Sequence, residues 1–248
     1  MKKGISIENV SVSYNKNKYQ LNNINLHIKE GTFLGITGVN GSGKTTLIQL
    51  LNGLIPHEIQ AKFSGNVFID EINTRSKSVS YFASKIGMLF QNPDFMLFNL
   101  TVSEEIAFGL NNLKLTNQQE RIKQALADVG LADFEERDPQ TLSFGQKQKV
   151  ALACILAVDT PYIVLDEPVA MLDYKSAINL YKILVNLNRV AGKTIIVVEH
   201  DTDFLLAHAT ETAVIDQGKI ILHGNTDEVF AEKEKIKELG IKIPQAIQ

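Results

Sequence analysis

Three glycines precede a lysine and two threonines in the stretch Gly38-Val39-Asn40-Gly41-Ser42-Gly43-Lys44-Thr45-Thr46, a combination suited to holding phosphate. Glycines let backbone amides turn inward around phosphate oxygens, and a following helix presents its positive end to them. An apolar run from Leu47 to Leu51 supplies that helix, and Phe33-Leu-Gly-Ile-Thr37 reads as the strand leading in. Strand, loop, Lys-Thr and helix thus coincide as a P-loop for a nucleoside triphosphate requires; a glycine turn without a ligand needs none of that context. Lys44 is placed to hold the β- and γ-phosphates, and Thr45 to ligate Mg²⁺.

A second element, Tyr162-Ile-Val-Leu-Asp166-Glu167, puts two carboxylates where an apolar strand ends, the place at which open α/β sheets bind their ligands. Asp166 would hold Mg²⁺ through water, and Glu167 would polarise the water that attacks the γ-phosphate. Two solvated acids opening a loop are the bland alternative, which the P-loop upstream outweighs.

These groups need a scaffold, and the chain has the means to build one. Its 248 residues, 44% hydrophobic, can bury a full core and read as one elaborated domain. Short β-branched or alternating segments at Ile5–Val12, Leu26–Ile28, Thr32–Thr37 and Val67–Ile69 read as strands. The almost wholly apolar runs Ile163–Leu165 and Thr194–Val198 read as parallel strands covered on both faces. Between the two groups, Thr101-Val-Ser-Glu104 has the form of a capping box, and helices follow to about Ala157. Within that stretch Asn117 to Val129 carries helical apolar spacing at Ile122, Leu126 and Val129, and Gly130 ends it.

Composition narrows the range of functions. A formal charge of -3 gives no broad basic face, so no nucleic acid is expected as a partner. The single cysteine, Cys154, lies in an apolar run and reads as a structural thiol in a reducing compartment. The basic start Met1-Lys2-Lys3 is followed by polar Ser6, Glu8, Asn9 and Ser11 rather than the apolar stretch of an export signal. No run approaches the roughly 20 apolar residues of a spanning helix. His27, His57, His208 and His223 show no zinc-ligand spacing.

Leu142-Ser143-Phe144-Gly145-Gln146, ahead of an apolar helix, decides among P-loop enzymes, since small kinases and GTPases lack it. With it, the chain resembles the ABC ATPase family over nearly its whole length. Gln91 matches the Q-loop, Asp173 in Val169-Ala-Met-Leu-Asp173 the D-loop, and His200, after the strand ending Val198-Glu199, the switch region. The resemblance implies an α/β fold, the P-loop NTPase of ABC type: a mixed, mostly parallel sheet core, an antiparallel β subdomain and a helical insert. Residues 1–230 would form the ATPase domain, with the insert at about 95–158, and 231–248 a short C-terminal extension.

The resemblance also implies roles. Gly38, Asn40, Gly41, Ser42, Gly43, Lys44, Thr45 and Thr46 would cradle ATP, Tyr14 would stack on its adenine, and Thr45, Gln91 and Asp166 would serve Mg²⁺. Glu167, His200, Gln91 and Lys44 would carry hydrolysis, His200 contacting the γ-phosphate and orienting Glu167. Ser143, Gly145, Gln146 and Asp173 would serve the nucleotide of a second, facing subunit, identical or related. Ser143 at a helix start with free backbone amides makes an anion site, and one subunit has no need of a second one. Phe144 stands where the family more often has glycine, and is tolerable if its backbone needs no positive φ. Val169, Met171 and Tyr174 depart from the commoner Thr, Gly and Pro, which bears on communication between sites.

Three further stretches are similar to the ATPases of energy-coupling-factor (ECF) transporters, which import vitamins, cobalt and nickel. They are Leu51-Asn-Gly-Leu-Ile-Pro56; Gln91-Asn-Pro-Asp94 leading through Thr101 to Leu110; and Glu228-Val-Phe230 with Leu239-Gly-Ile-Lys-Ile-Pro244. Implied partners are a second ATPase, a transmembrane coupling protein and a small membrane protein that captures substrate, at the cytoplasmic face of the membrane. Phe95, Met96, Leu97 and Phe98 either line the groove for the coupling protein or pack the helical insert. The chain stops at Gln248, before the C-terminal helical extension that holds many ECF ATPases together, so a dimer without nucleotide is not implied. The rivals are another class of ABC importer and a soluble ABC ATPase acting on nucleic acid or ribosomes; the latter usually joins two ATPase halves or inserts a coiled coil.

Overall fold

Runs such as Tyr162–Asp166 and Thr194–Val198 offer no polar face to water, so they can lie only in a sheet with both faces covered. The computed structural model describes residues 3–15 and 18–247, leaving Met1 and Lys2 of the basic start, Lys16, Asn17 and the final Gln248 outside the described residues. The strands are β1 (Gly4–Ser13), β2 (Leu21–Lys29), β3 (Phe33–Thr37), β4 (Lys62–Ile69), β5 (Ile72–Asn73), β6 (Ile86–Leu89), β7 (Tyr162–Asp166), β8 (Thr194–Val198), β9 (Glu211–Asp216) and β10 (Lys219–Asn225). The helices are α1 (Lys44–Leu51), α2 (Leu54–His57), α3 (Val79–Ala83), α4 (Val102–Asn112), α5 (Gln118–Asp128), α6 (Phe144–Val158), α7 (Tyr174–Arg189), α8 (Thr202–His208), α9 (Thr226–Ala231) and α10 (Lys233–Glu238).

Two sheets result. The central one has the order β10-β9-β3-β8-β7-β6, parallel throughout except for the β9–β10 hairpin, while β2-β1-β4-β5 form an antiparallel sheet. Every residue of β3, β7 and β8 is buried. Side chains on a strand point alternately to opposite faces. Accordingly Phe33, Ile163, Leu165, Ile195 and Val197 join one core with α4 to α8, and Leu34, Ile36, Val164, Ile196 and Val198 join another with α1 and the antiparallel sheet.

The expected strand at Leu26–Ile28 runs back to Leu21, because β2 pairs with β1 as far as Val12↔Leu21. The strand at Val67–Ile69 begins at Lys62, opposite Ser13. Four strands without a strong local pattern, β5, β6, β9 and β10, escape the sequence reading. The β9–β10 turn has Gln217 and Gly218 both at positive φ, 44° and 74°, the geometry of a two-residue hairpin turn. The helical group is as the sequence predicts: Thr101 and Glu104 make the capping box of α4, and Gly130 follows α5 at φ 71°. Beyond Phe230 the chain turns back, burying Ile236, Ile241 and Ile243 in the core shared with α4 to α8.

Close packing under β6 gives a direct test, because β6 aims the loop that carries Gln91. A methyl group added at Gly87 would lie 2.1 Å from Ile155 Cγ2 of α6. Gly87→Ala should therefore cost about 1–3 kcal/mol in urea unfolding, and an unchanged midpoint would contradict this packing.

Candidate functional site

Four adjacent parallel strands, β3, β8, β7 and β6, end on the same side of the central sheet, and each is followed by a candidate residue. After β3 comes the glycine loop, after β8 His200, after β7 Glu167, and after β6 Gln91. The hydrogen bonds close this row. Gln91 Nε2 donates to Glu167 Oε2 at 2.8 Å, and His200 Nε2 lies 2.9 Å from Glu167 Oε1. Each oxygen of one carboxylate is thus engaged from a different strand end.

Glu167 sits at φ 47°, a left-handed conformation unusual for a residue with a Cβ, and its amide donates to Val198 O at 2.9 Å. Such strain, of order 1–3 kcal/mol, persists where the surroundings fix it and clusters at functional positions. Beside it Asp166 is buried, and its carboxyl is pushed up to about 6 by desolvation and by Glu167, against the opposing pull of Lys44 and a hydrogen bond from Thr45. Lys44 is also buried; desolvation lowers its pKa while Glu167 and Asp166 support its charge. Its ammonium donates to Gly38 O at 2.8 Å and Val39 O at 3.1 Å.

The glycine loop is clamped by its neighbours. A Cβ at Gly38 would lie 2.1 Å from Ile215 O, and one at Gly43, where φ is 114°, would lie 2.7 Å from Gln20 O. Gln20 Nε2 donates to Gly41 O at 3.1 Å, and Gly218 N to Ser42 O at 2.9 Å. Gly43, the N-cap of α1, has no side chain to cap the first amides of the helix, which suits an anion there. Ser42 Oγ is buried with no hydrogen-bond partner among the described residues. Tyr14 stands beside this helix, its hydroxyl 3.2 Å from Thr46 Oγ1 and its ring partly exposed. Asn40, Gly41 and Ser42 line a cavity of about 410 Å³ with Gln20 and the β9–β10 turn.

Ser143, Gly145, Gln146 and Asp173 line a different cavity, of about 310 Å³, that shares no lining residue with the first. The expectation of free amides at Ser143 needs correction. Ser143 and Gln146 form a capping box: Ser143 N donates to Gln146 Oε1 at 3.0 Å and Gln146 N to Ser143 Oγ at 3.4 Å. The pattern Ser-x-x-Gln at residues 143–146 has the same form as the Thr101–Glu104 box. Phe144 opens α6 without positive φ. A methyl group at Gly145 would meet Leu172 Cδ2 at 3.4 Å, ordinary contact, so packing within the subunit does not demand glycine there. Asp173 caps α7, accepting Ser176 N at 3.0 Å and Ser176 Oγ at 2.6 Å, and these bonds lower its pKa.

Among the other groups, His57 bonds Thr74 O, His223 bonds Glu211 and His208 stacks on Tyr181. Cys154 packs against the core and burial pushes its thiol up. Of Phe95–Phe98, Leu97 is buried and Met96 half-buried, whereas Phe95 is 86% and Phe98 63% exposed. Sequence reasoning missed Glu199, a buried acid just before His200; its only signal was a carboxylate at the end of an apolar run.

Burial raises the Glu199 carboxyl to about 7 from an ordinary 4.5, and Asp166 to about 6 from 3.8. An acid that holds its proton more tightly when folded favours the folded state below both values, and loses that contribution as pH rises through the folded value. Calorimetry without nucleotide or Mg²⁺ should therefore show Tm falling from about pH 5 to about pH 8. Glu199→Gln should flatten the upper part of that fall; a slope identical to wild type would contradict the burial of its charge.

The family model described as "ABC transporter" matches residues 21–170. An ABC transporter ATP-binding protein of Pyrococcus abyssi is 45% identical over 247 residues, covering 98% of this chain and 88% of the relative. The energy-coupling factor transporter ATP-binding protein EcfA1 of Streptococcus thermophilus is 36% identical over 244 residues, covering 97% and 86%. CbiO1 of Clostridium perfringens, described as part of the ABC transporter complex CbiONQ, superposes with a TM-score of 0.84 at 33% identity, covering 99% of this chain and 98% of that one. The ATP-binding cassette MJ0796, solved as a post-hydrolysis dimer with ADP and Pi, superposes with a TM-score of 0.79 at 29% identity, covering 90% and 98%. The chain belongs to the ABC transporter family, as an ATP-binding subunit that hydrolyses ATP.

Proposed function

We propose that this subunit powers an ECF-type importer of a vitamin or transition-metal ion, working as one half of an ATPase dimer at the cytoplasmic face of the membrane. The observation that carries the hydrolytic part is the single carboxylate, Glu167, held by Gln91 and His200 at the ends of neighbouring strands. In this reading Lys44, the loop amides from Gly38 to Thr46 and the start of α1 hold the phosphates, and Tyr14 stacks on adenine. Glu167 orients and polarises the attacking water, while His200 fixes Glu167 and meets the γ-phosphate.

The oxygen donors Thr45, Asp166 and Gln91 fit Mg²⁺, a hard cation that takes oxygen ligands. Asp166 is a buried acid whose nearest support is one lysine and one threonine hydroxyl, so a dication there would relieve its desolvation. Mg²⁺ would supply charge neutralisation on the β- and γ-phosphates.

The separate cavity at Ser143, Gly145 and Gln146 supports the dimer, since it lies at the start of a helix and shares no lining residue with the subunit's own phosphate loop. Likeness to proteins named EcfA1 and CbiO1 supports the ECF class and its coupling and capture proteins. No helix among the described residues is long and apolar enough to cross a membrane. Exposed Phe95, Phe98, Leu100 and Phe108 offer an apolar face for the coupling protein, and Phe98 meets Phe108 edge-on at 4.9 Å.

Glu167→Gln should lower turnover by at least about 1000-fold while ATP still binds, and Lys44→Ala should weaken binding of ATP itself. Phosphate-release assays beside equilibrium binding of labelled ATP separate the two, and a Glu167→Gln protein hydrolysing at the wild-type rate would remove Glu167 from its role. Affinity purification from membranes checks the transport class: a coupling protein with a small capture protein supports ECF, and a paired permease refutes it.

A further inference from the structure

The hydrolytic reading gives no role to Glu199, although it is 3% exposed and adjoins His200. Its Oε1 accepts the amides of both His200, at 2.9 Å, and Asp201, at 3.2 Å, while Oε2 lies 3.5 Å from the Tyr181 hydroxyl. Its own amide donates to Ile36 O at 3.0 Å, joining it to the strand that carries the phosphate loop. Tyr181 is fully buried and stacked, 6.5 Å from Phe33 of β3 and 4.6 Å from Phe204 of α8, so its hydroxyl is a fixed anchor.

Two amides bonded to one oxygen define the turn by which residues 200 and 201 leave β8. That turn decides where the His200 imidazole points. We propose that Glu199 is a positioning residue, its carboxylate braced on Tyr181 and holding the turn at residues 200–201 so that His200 meets Glu167. The inference rests on the reading of Glu167 and His200 as the hydrolytic pair.

An ionised carboxylate is the stronger acceptor for those amides. The groups that face it are the Tyr181 hydroxyl from α7, Asp201 and His200 on its own loop, and Glu167 after β7; burial first, then the charges of Asp201 and Glu167, resists its ionisation, against the two amide hydrogen bonds. Its carboxyl at about 7 therefore makes hydrolysis decline as pH falls through neutrality.

The full-length chain tests this through steady-state MgATP hydrolysis and equilibrium binding of a non-hydrolysable ATP analogue, in wild type, E199A, E199Q, Y181F and H200A. E199A should lose about 10- to 100-fold in kcat, the scale of a misplacement near 1 Å, with analogue affinity unchanged. E199Q, which keeps a neutral acceptor, should recover most of the rate near pH 8 and lack the wild-type decline around pH 7. Y181F should fall between. A wild-type kcat in E199A, or a joint loss of kcat and analogue affinity, overturns the inference. Should E199A fail to fold, a wild-type rate in Y181F together with a wild-type acid limb in E199Q overturns it. A wild-type chain that does not hydrolyse MgATP, or H200A as active as wild type, instead defeats the reading of the site on which the inference rests.

Discussion

Parallel pairing of β3, β8, β7 and β6 is the constraint on which the site depends. Because both faces of these strands are apolar and covered, their register is fixed: a one-residue slip would send every side chain to the wrong core. The register in turn fixes which residue leaves each strand at the open edge. Val164 pairs with Ile196, and Asp166 with Val198, so Glu167 and Glu199 leave the sheet at the same level. The amide of Glu167 is then within reach of Val198 O, and that bond holds the left-handed turn that brings its carboxylate to His200. Chemistry at this edge is thus a consequence of core packing one or two residues away.

The residues that make up this edge were legible in the sequence to an uneven degree. Lys44, Asp166, Glu167 and His200 end or follow strands of strong apolar character, and their types are few enough to be recognised in order. The apolar runs Ile163–Leu165 and Thr194–Val198 mark β7 and β8 nearly to the residue, because burial on both faces leaves no polar position to confuse them. By contrast, β6, β9 and β10 take their structure from their neighbours: Gly87 is there because Ile155 crosses it, and Gly218 because it abuts Gln20. Neither contact has a local sequence signal. Glu199 was hidden for a similar reason, since a glutamate at a strand end reads as solvated until Tyr181, eighteen residues away, is seen beneath it.

The exposed aromatic face and the proposed half-site for a partner are joined by specific contacts. Lys147 at the end of the first turn of α6 bonds Asp94 at 2.6 Å, and Gln140, just before the Leu142–Gln146 stretch, donates to Leu97 O at 3.1 Å. Glu105, buried in α4, accepts the amides of Phe98 and Asn99 at 2.7 and 2.8 Å, which holds Phe98 outward while Leu97 turns in. A movement of the aromatic segment would therefore pull on both α4 and α6. Coupling through such a chain needs no flexible linker, because packed elements shift as units.

The caps of α6 and α7 show how one residue can serve its own helix and a facing subunit at once. A serine hydroxyl has one donor and two acceptor positions, and the capping box of Ser143 uses only an acceptor. Its O–H remains available to a phosphate oxygen arriving from outside. Asp173, ionised, has acceptors alone, and its two oxygens already take Ser176 N and Ser176 Oγ. It can receive further donors but cannot approach a phosphate without repulsion. In the proposed dimer Ser143 is therefore suited to touch the partner's nucleotide directly, whereas Asp173 is suited to meet backbone or hydroxyl donors of the partner protein. The chemical difference between these two caps would divide the proposed interface into a part that reads ATP and a part that reads the other subunit.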